Sequence, residues 1–497
     1  MLSRINERRL LSLTVLLFCM TTHLVLGKAQ FKQQIIDKTQ KAVVTIEVKA
    51  SLEAYEAGGL GWKGTGFVVN KTKGLILTNA HVVGRGTVGT YLLAFYDGVR
   101  TDAKLLYYDP WLDYAFLQVP PEDIPGDTTE IKFSAQNPRM GQAVFMIGNN
   151  ENKSFSIHTG NISNTHTVAG LMPQHSINIS LNAKGGSSGS PVLNEKGEAI
   201  ALNYGISETF AIGLHPWYVR YALRFIEQGR VPVRQHIGAI VNHYALDQGV
   251  RYRSFPKEKA KSYLKQFPDS QGQALIVDRV LRGSPADGIL LPGDIIWAIN
   301  GEKLGPNLVD LDMAMNACKH SSVRVTICRN GIWSELELPL YSLEEYKVQK
   351  MVSFGGALFF EIDDICSDVS GEPAGTLTFV NAQSSTTFKN VIHYAREGGA
   401  MRFMMKIQAL DETPITGLNQ LIESIPKLIE KKHFTIDYVN YIPYDFVGFD
   451  KGNIWAHHSL KADVEYDENS PEPKLYTFDR EKMEWIREPI LKGKPHS

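Results

Sequence analysis

Between Val44 and Leu202 the chain is divided into short apolar runs, each closed off by turn residues, and this spacing restricts the fold more than any other feature. Val44, Ile46 and Val48 alternate with Thr45, Glu47 and Lys49, the period of a half-buried strand. Further runs lie at 67–69, 75–77, 91–95, 104–108, 114–119, 143–147, 177–181 and 199–202, with Asn70, Asp97-Gly98 and Glu195-Lys196-Gly197 among the breaks. Many short strands with no helical pattern between them predict antiparallel barrels or a sandwich, a mainly β protein. A helix is expected only afterwards, opened by Pro216, with Val219, Leu223 and Ile226 on one face and Gly229 just past its end.

Within this strand-rich half, one stretch carries chemistry. In Lys184-Gly185-Gly186-Ser187-Ser188-Gly189-Ser190-Pro191 a serine sits between small residues at a tight bend, which presents a hydroxyl nucleophile and aims backbone N–H groups at an oxyanion. Ser188 is the candidate nucleophile. A serine needs a base, and the imidazole that serves as base needs a carboxylate to fix its tautomer. His81, after the apolar run Leu75–Leu77, and Asp113, just before Tyr114–Leu117, fit those roles. The order His, Asp, Ser belongs to two-barrel enzymes. Gly185-x-Ser187-x-Gly189 also fits a nucleophile elbow centred on Ser187, but that architecture needs an aspartate and then a histidine downstream, and no strong pair follows in that order.

Four motifs in register carry a resemblance. Gly64-Thr65-Gly66-Phe67-Val68-Val69, Leu77-Thr78-Asn79-Ala80-His81-Val82-Val83, Asp113-Tyr114-Ala115-Phe116-Leu117 and Gly186-Ser187-Ser188-Gly189-Ser190-Pro191 together resemble the HtrA/DegP family of serine proteases. The likeness runs from about Phe31 to Arg329. It implies a chymotrypsin-like two-barrel protease domain over 28–230 and a PDZ domain over 235–340; beyond it, Phe354–Phe360, Phe403–Ile407 and the helical Leu418–Leu428 suggest a degenerate second PDZ-like domain over 350–445, and the polar, charge-mixed residues 446–497 read as a C-terminal extension without a motif. The likeness also implies an oxyanion hole at Gly186, Ser187 and Ser188, and Asn182 at the base of the specificity pocket. Ile237, Gly238 and Ala239 would receive a peptide carboxylate, with Leu308–Ala317 as the helix beside the groove. Lys184-Gly185 replaces the family's Asn-Pro before the glycine, and Gly189-Ser190 its Gly-Gly after the nucleophile. Phe31 resembles the N-terminal aromatics that trimerise the family, so a homotrimer or an assembly of trimers is expected.

Composition narrows the setting. A chain of 497 residues predicts three or four domains, and Lys+Arg 52 against Asp+Glu 53 leaves no basic excess for nucleic acid. Arg4, Arg8 and Arg9 followed by an apolar stretch from Leu10 to Leu26 read as a signal peptide over 1–27, hence secretion across the inner membrane to the periplasm or cell envelope. Removing it leaves Cys318, Cys328 and Cys366, an odd set without metal-ligand spacing, so neither a disulfide scaffold nor a metal site is expected. The proposed chemistry calls for no cofactor. The expected activity is PDZ-regulated cleavage of unfolded or misfolded proteins, with peptide C-termini bound at the PDZ domain. The alternative is a chaperone-like scaffold that binds unfolded chains with little proteolysis.

Overall fold

The computed structural model describes residues 31–52, 61–151, 153–169, 172, 174–207, 209–345, 347–381, 387–388, 391, 405–443 and 455–491. The expected signal peptide over 1–27 lies outside the described residues. Among those residues no helix is long and apolar enough to cross a membrane.

After a short helix, α1 (Gln33–Gln40), the first barrel is built from β1 (Val43–Leu52), β2 (Trp62–Asn70), β3 (Leu75–Thr78), β4 (Val88–Ala94), β5 (Arg100–Asp109) and β6 (Tyr114–Gln118). It closes in the order β1-β2-β3-β6-β5-β4. The one-turn helix α2 (Ala80–Val83) follows β3. β7 (Ala143–Asn150), β8 (Lys153–Ala169), β9 (Gln174–Ser180), β10 (Pro191–Leu193), β11 (Ala199–Ile206) and β12 (Ala211–Leu214) close the second barrel in the order β10-β11-β12-β9-β8-β7. Every apolar run read from the sequence lies on or at the end of one of these strands. β5 alternates exposed and buried positions as a barrel wall does, whereas all four residues of β3 are buried.

The two barrels are joined by polar side chains as well as by their apolar core. Asn149 on β7 accepts from Thr45 Oγ1 at 2.9 Å and donates through Nδ2 to the Gly64 carbonyl at 2.9 Å. Its backbone N–H donates to Thr65 Oγ1 at 2.9 Å, so three buried polar residues satisfy one another where the barrels meet. The expected helix is α3 (Pro216–Ile226), and Gly229 beyond it has a φ of +67°.

The linker leads into β13 (Gln235–His236) and β14 (Ala239–Ala245), then α4 (Leu246–Tyr252), α5 (Lys257–Gln266), β15 (Gln273–Val280), β16 (Ile295–Ile299), β17 (Glu302–Lys303), α6 (Leu308–Ala317), β18 (Ser322–Arg329), β19 (Ile332–Pro339) and β20 (Tyr341–Ser342). The sheet runs β14-β15-β16-β18-β19, with β17 on β16, while β13 pairs with β20. The Pro292-Gly293-Asp294 segment has a structural purpose here. Buried Asp294 accepts from Arg329 Nε at 2.7 Å and from the Leu291 N–H at 2.9 Å, fixing the turn before β16.

The last region contains β21 (Lys350–Phe354), β22 (Ala357–Glu361), α7 (Asp364–Ser370), β23 (Leu377–Asn381), β24 (Met405–Leu410), β25 (Thr413–Pro414), α8 (Leu418–Lys431), β26 (His433–Pro443), β27 (Trp455–Glu465), β28 (Lys474–Asp479) and β29 (Glu484–Pro489). Its sheet order is β27-β26-β24-β23-β22-β21-β28-β29, with β25 on β24. The path β22-β23-β24-β26-β27, with a helix before β26 and a two-residue strand on the third member, repeats the connectivity of β14-β15-β16-β18-β19. The difference lies at one edge. β14 ends its sheet, but its counterpart β22 is paired along Met351↔Phe360 to Phe354↔Ala357 by the chain's own β21, and β28 and β29 extend the sheet beyond. The edge to which a peptide would add as a strand is therefore already occupied.

One expectation is corrected. Residues 446–497 are not a motif-less extension, because 455–489 supply three strands of this sheet; their partly exposed, charge-mixed residues carry little apolar signal. The Phe31 ring packs on Phe145 of its own chain, with centroids 4.7 Å apart. Cys318, Cys328 and Cys366 are all free.

Candidate active site

The site is built where the barrels face each other. β3 ends at Thr78, buried Asn79 follows, and α2 presents His81 with its side chain 42% exposed. Asp113 lies on the turn between β5 and β6, its φ of +56° in the left-handed region. The structure brings these two together. His81 Nδ1 is 2.7 Å from Asp113 Oδ2, and the His81 backbone N–H donates to Asp113 Oδ1 at 2.9 Å. Asn79 Nδ2 donates to the Asp113 carbonyl at 2.8 Å, tying the turn to the residues that lead into α2. With the ring's Nδ1–H given to the carboxylate, Nε2 carries the lone pair and can act as a base.

Ser188 comes from the loop between β9 and β10 and is anchored across the barrel interface, its carbonyl accepting from the Thr65 N–H at 2.9 Å. Thr65 Oγ1 donates to the Gly186 carbonyl at 2.8 Å, so β2 of the first barrel shapes the loop of the second. Gly189 cannot be replaced without moving that contact. Its φ is +83°, and an added Cβ would lie 1.9 Å from the Thr65 carbonyl oxygen. Ser190, where the family has glycine, is buried against Gly148, whose missing side chain leaves room for it.

The three residues of the expected oxyanion hole differ in their hydrogen bonding. Among the described residues the N–H groups of Gly186 and Ser188 have no hydrogen-bond partner. Gly186 has a φ of +93°. Ser187 is not a donor to substrate, because its N–H donates to the Lys184 carbonyl at 3.0 Å and its hydroxyl to the same oxygen at 2.7 Å. Asn203, buried on β11, donates to the Ser187 carbonyl at 2.9 Å, so Ser187 braces the loop. Asn182 is exposed rather than sealed at the base of a pocket. The sequence reading missed the bracing residues Thr65, Asn79, Asn149 and Asn203; the available signal was a polar residue beside or within each apolar strand.

In the PDZ domain the expected carboxylate loop lies at the start of β14. The Gly238 N–H is already donated to His236 Nδ1 at 2.9 Å, and Ile237 and Ala239 are buried. Val168 of β8 packs against the apolar cluster that includes Ala239, Val241, Leu308, Leu311 and Met315. In this arrangement the groove beside α6 faces the second barrel. His175 stands at the same contact, its ring 5.5 Å from His166, 5.5 Å from His215 and 6.1 Å from His243 of β14.

Residues 64–202 match the model of the trypsin-like peptidase domain, a span that contains His81, Asp113 and Ser188, and residues 276–329 match that of the PDZ domain. The pro-apoptotic serine protease NMA111 of Meyerozyma guilliermondii is 28% identical over 422 residues, which cover 82% of this chain and 41% of that protein. Its namesake in Candida glabrata is 30% identical over 72% of this chain and 37% of that protein. The chain thus spans about two-fifths of the length of the curated relatives it matches. The crystal structure of the serine endoprotease from Yersinia pestis aligns over 63% of this chain and 97% of that one, with 21% identity and a TM-score of 0.42. These fungal relatives lend no support to a bacterial cell-envelope setting. This chain thus matches a trypsin-like peptidase domain over residues 64–202 and a PDZ domain over 276–329, and over most of its length it is similar to serine proteases.

Proposed function

We propose that this chain is an active serine endopeptidase in which Ser188 Oγ attacks the scissile carbonyl, His81 Nε2 takes its proton and returns it to the leaving amine, and Asp113 holds the imidazole. The oxyanion that forms is received by the N–H groups of Gly186 and Ser188, where losing one donor costs about 2.7–4 kcal/mol. The observation that carries this reading is the His81–Asp113 pair at 2.7 Å, together with a serine loop whose Gly186 and Ser188 N–H groups have no hydrogen-bond partner among the described residues.

Unfolded or misfolded proteins are the proposed substrates. A peptide C-terminus is the proposed ligand of the PDZ domain, and to bind it β14 and α6 must first part from Val168 and the second barrel. The second PDZ-like region is assigned a bracing role, since β21 fills its edge. No trimer contact is assigned, Phe31 being used within its own chain. Export rests on residues 1–27 alone, and a mature protein beginning near Lys28 is the result that supports it.

Casein degradation by the wild type and by Ser188→Ala is the test. Wild-type cleavage lost in Ser188→Ala is expected. A folded wild type that leaves casein intact defeats the proposal and favours a chain-binding scaffold.

A further inference from the structure

The turn that carries Asp113 is held from outside its own barrel. A non-glycine residue at a φ of +56° keeps that conformation only where its surroundings over-determine it. Two restraints come from the first barrel: Asn79 Nδ2 on the Asp113 carbonyl at 2.8 Å, and the Leu112 N–H on Asp109 Oδ1 at 3.0 Å. The others come from elsewhere. Asp109 Oδ2 is 3.0 Å from Nε of Arg234, at the end of the linker, and Arg234 Nη2 is 3.7 Å from Asp312 Oδ1 on α6. The Trp111 ring packs at 4.2 Å on His236 of β13.

Both Arg234 and Asp109 have side chains only 2% exposed, so neither charge can exchange its partner for bulk water. The Arg234 Nε–Asp109 Oδ2 contact is not aligned as a hydrogen bond, and neither Nε nor Nη2 has a hydrogen-bond partner among the described residues. The pairing is therefore one of charge, set by where the linker places the guanidinium.

We propose that Arg234 is a positioning residue for Asp113: by neutralising Asp109 at the base of the turn, it holds the shape that aims the Asp113 carboxylate at His81. This rests on the reading of His81 and Asp113 as protease machinery. A consequence is that a unit ending at residue 230 contains His81, Asp113 and Ser188 but lacks the cation that holds the aspartate turn.

The test uses the full chain. Asp109→Asn keeps an oxygen for the Leu112 N–H and removes the charge. Asp109→Ser, smaller and still able to accept from Leu112, is made alongside in case the first variant does not fold. Arg234→Lys keeps a cation. For either Asp109 variant, folded by thermal unfolding, we expect kcat to fall at least ten-fold with KM changed less than two-fold. The acid limb of the kcat–pH profile should move to lower pH, because His81 loses its carboxylate partner; Arg234→Lys should stay within three-fold of wild type. The low-field proton signal of the His81 Nδ1–H, read by NMR on the same proteins, should persist in wild type and Arg234→Lys and weaken in the Asp109 variants. A folded Asp109 variant with wild-type kcat, acid limb and low-field signal overturns the proposal, as does an Arg234→Lys protein as impaired as Asp109→Asn. If the wild type cleaves no peptide, the protease reading fails separately, and the NMR signal still decides whether Arg234 positions the pair.

Discussion

The backbone N–H of His81 and its ring Nδ1 are both bound by the Asp113 carboxylate, at 2.9 Å to Oδ1 and 2.7 Å to Oδ2. One side chain thus fixes the start of α2 and the orientation of the imidazole it carries. Neither oxygen is spare, so any change to this carboxylate acts on position and tautomer together.

Asp113→Asn should therefore fold and be nearly inactive. The amide oxygen can still accept from the His81 N–H, but an NH2 group facing Nδ1 selects the tautomer whose Nε2 is protonated and cannot act as a base. A loss of about 10⁴-fold in kcat is expected. Steady-state kinetics on one peptide substrate, with thermal unfolding as a fold control, checks this; a loss under ten-fold would contradict the assigned role.

Ser187→Ala should lose stability rather than chemistry. The hydroxyl donates to the Lys184 carbonyl at 2.7 Å and accepts from Asn203 Nδ2 at 3.2 Å, while Asn203 keeps its bond to the Ser187 carbonyl in the variant. The cost should be about 0.5–1.5 kcal/mol, read by denaturant unfolding, with cleavage within ten-fold of wild type. Loss of cleavage in Ser187→Ala together with its survival in Ser188→Ala would assign the nucleophile to the wrong serine.

Gly185→Pro should raise basal cleavage. Gly185 has no positive φ, and a Cβ built there meets nothing within 4 Å, so the folded loop has room for a ring while the unrestrained loop loses freedom. A gain of about 0.4–1 kcal/mol for the ordered loop corresponds to roughly two- to five-fold in initial rate. Initial rates with and without a C-terminal activating peptide measure it. An unchanged basal rate in a folded variant would mean that loop ordering does not limit the enzyme.

The contact between the second barrel and the PDZ domain should weaken in acid. Burial, reinforced by His215, His243 and His166, holds His175 well below the usual range; burial lowers His215 to about 4 and also lowers His243. Burial lowers His166 against the opposing pull of Asp269, and Arg220 adds to the lowering of His215. Buried nitrogens His175 Nδ1 and His166 Nδ1 have no hydrogen-bond partner among the described residues. Because these values lie below the ordinary value of about 6.5, the parted state takes up protons first. Docking should be unaffected above about pH 6.5 and should weaken progressively as pH falls towards about 4. Hydrogen exchange of β14 on the Ser188→Ala protein, at pH 7.5, 6 and 5 with rates corrected for intrinsic exchange, reads this. Equal protection at all three values would refute it.

Much of this architecture could be read from local pattern. Period-two runs placed the barrel strands, Pro216 and Gly229 bracketed α3, and the residue order His81, Asp113, Ser188 pointed to a two-barrel site because each residue stands at the end of a recognisable strand or loop. Local chemistry is enough for such features, since side-chain alternation, φ restriction at proline and small residues at a tight turn depend only on near neighbours in the chain. What the sequence did not reveal depends on partners far away in it. Arg234, at the end of the linker, is enclosed by Asp109 and Asp312, both remote from it in the chain. Local sequence sets which elements form and which residue types can do the chemistry. Which edges and charges stay available follows from the fold, because a polar group's partner is set by distance in space and not by separation along the chain.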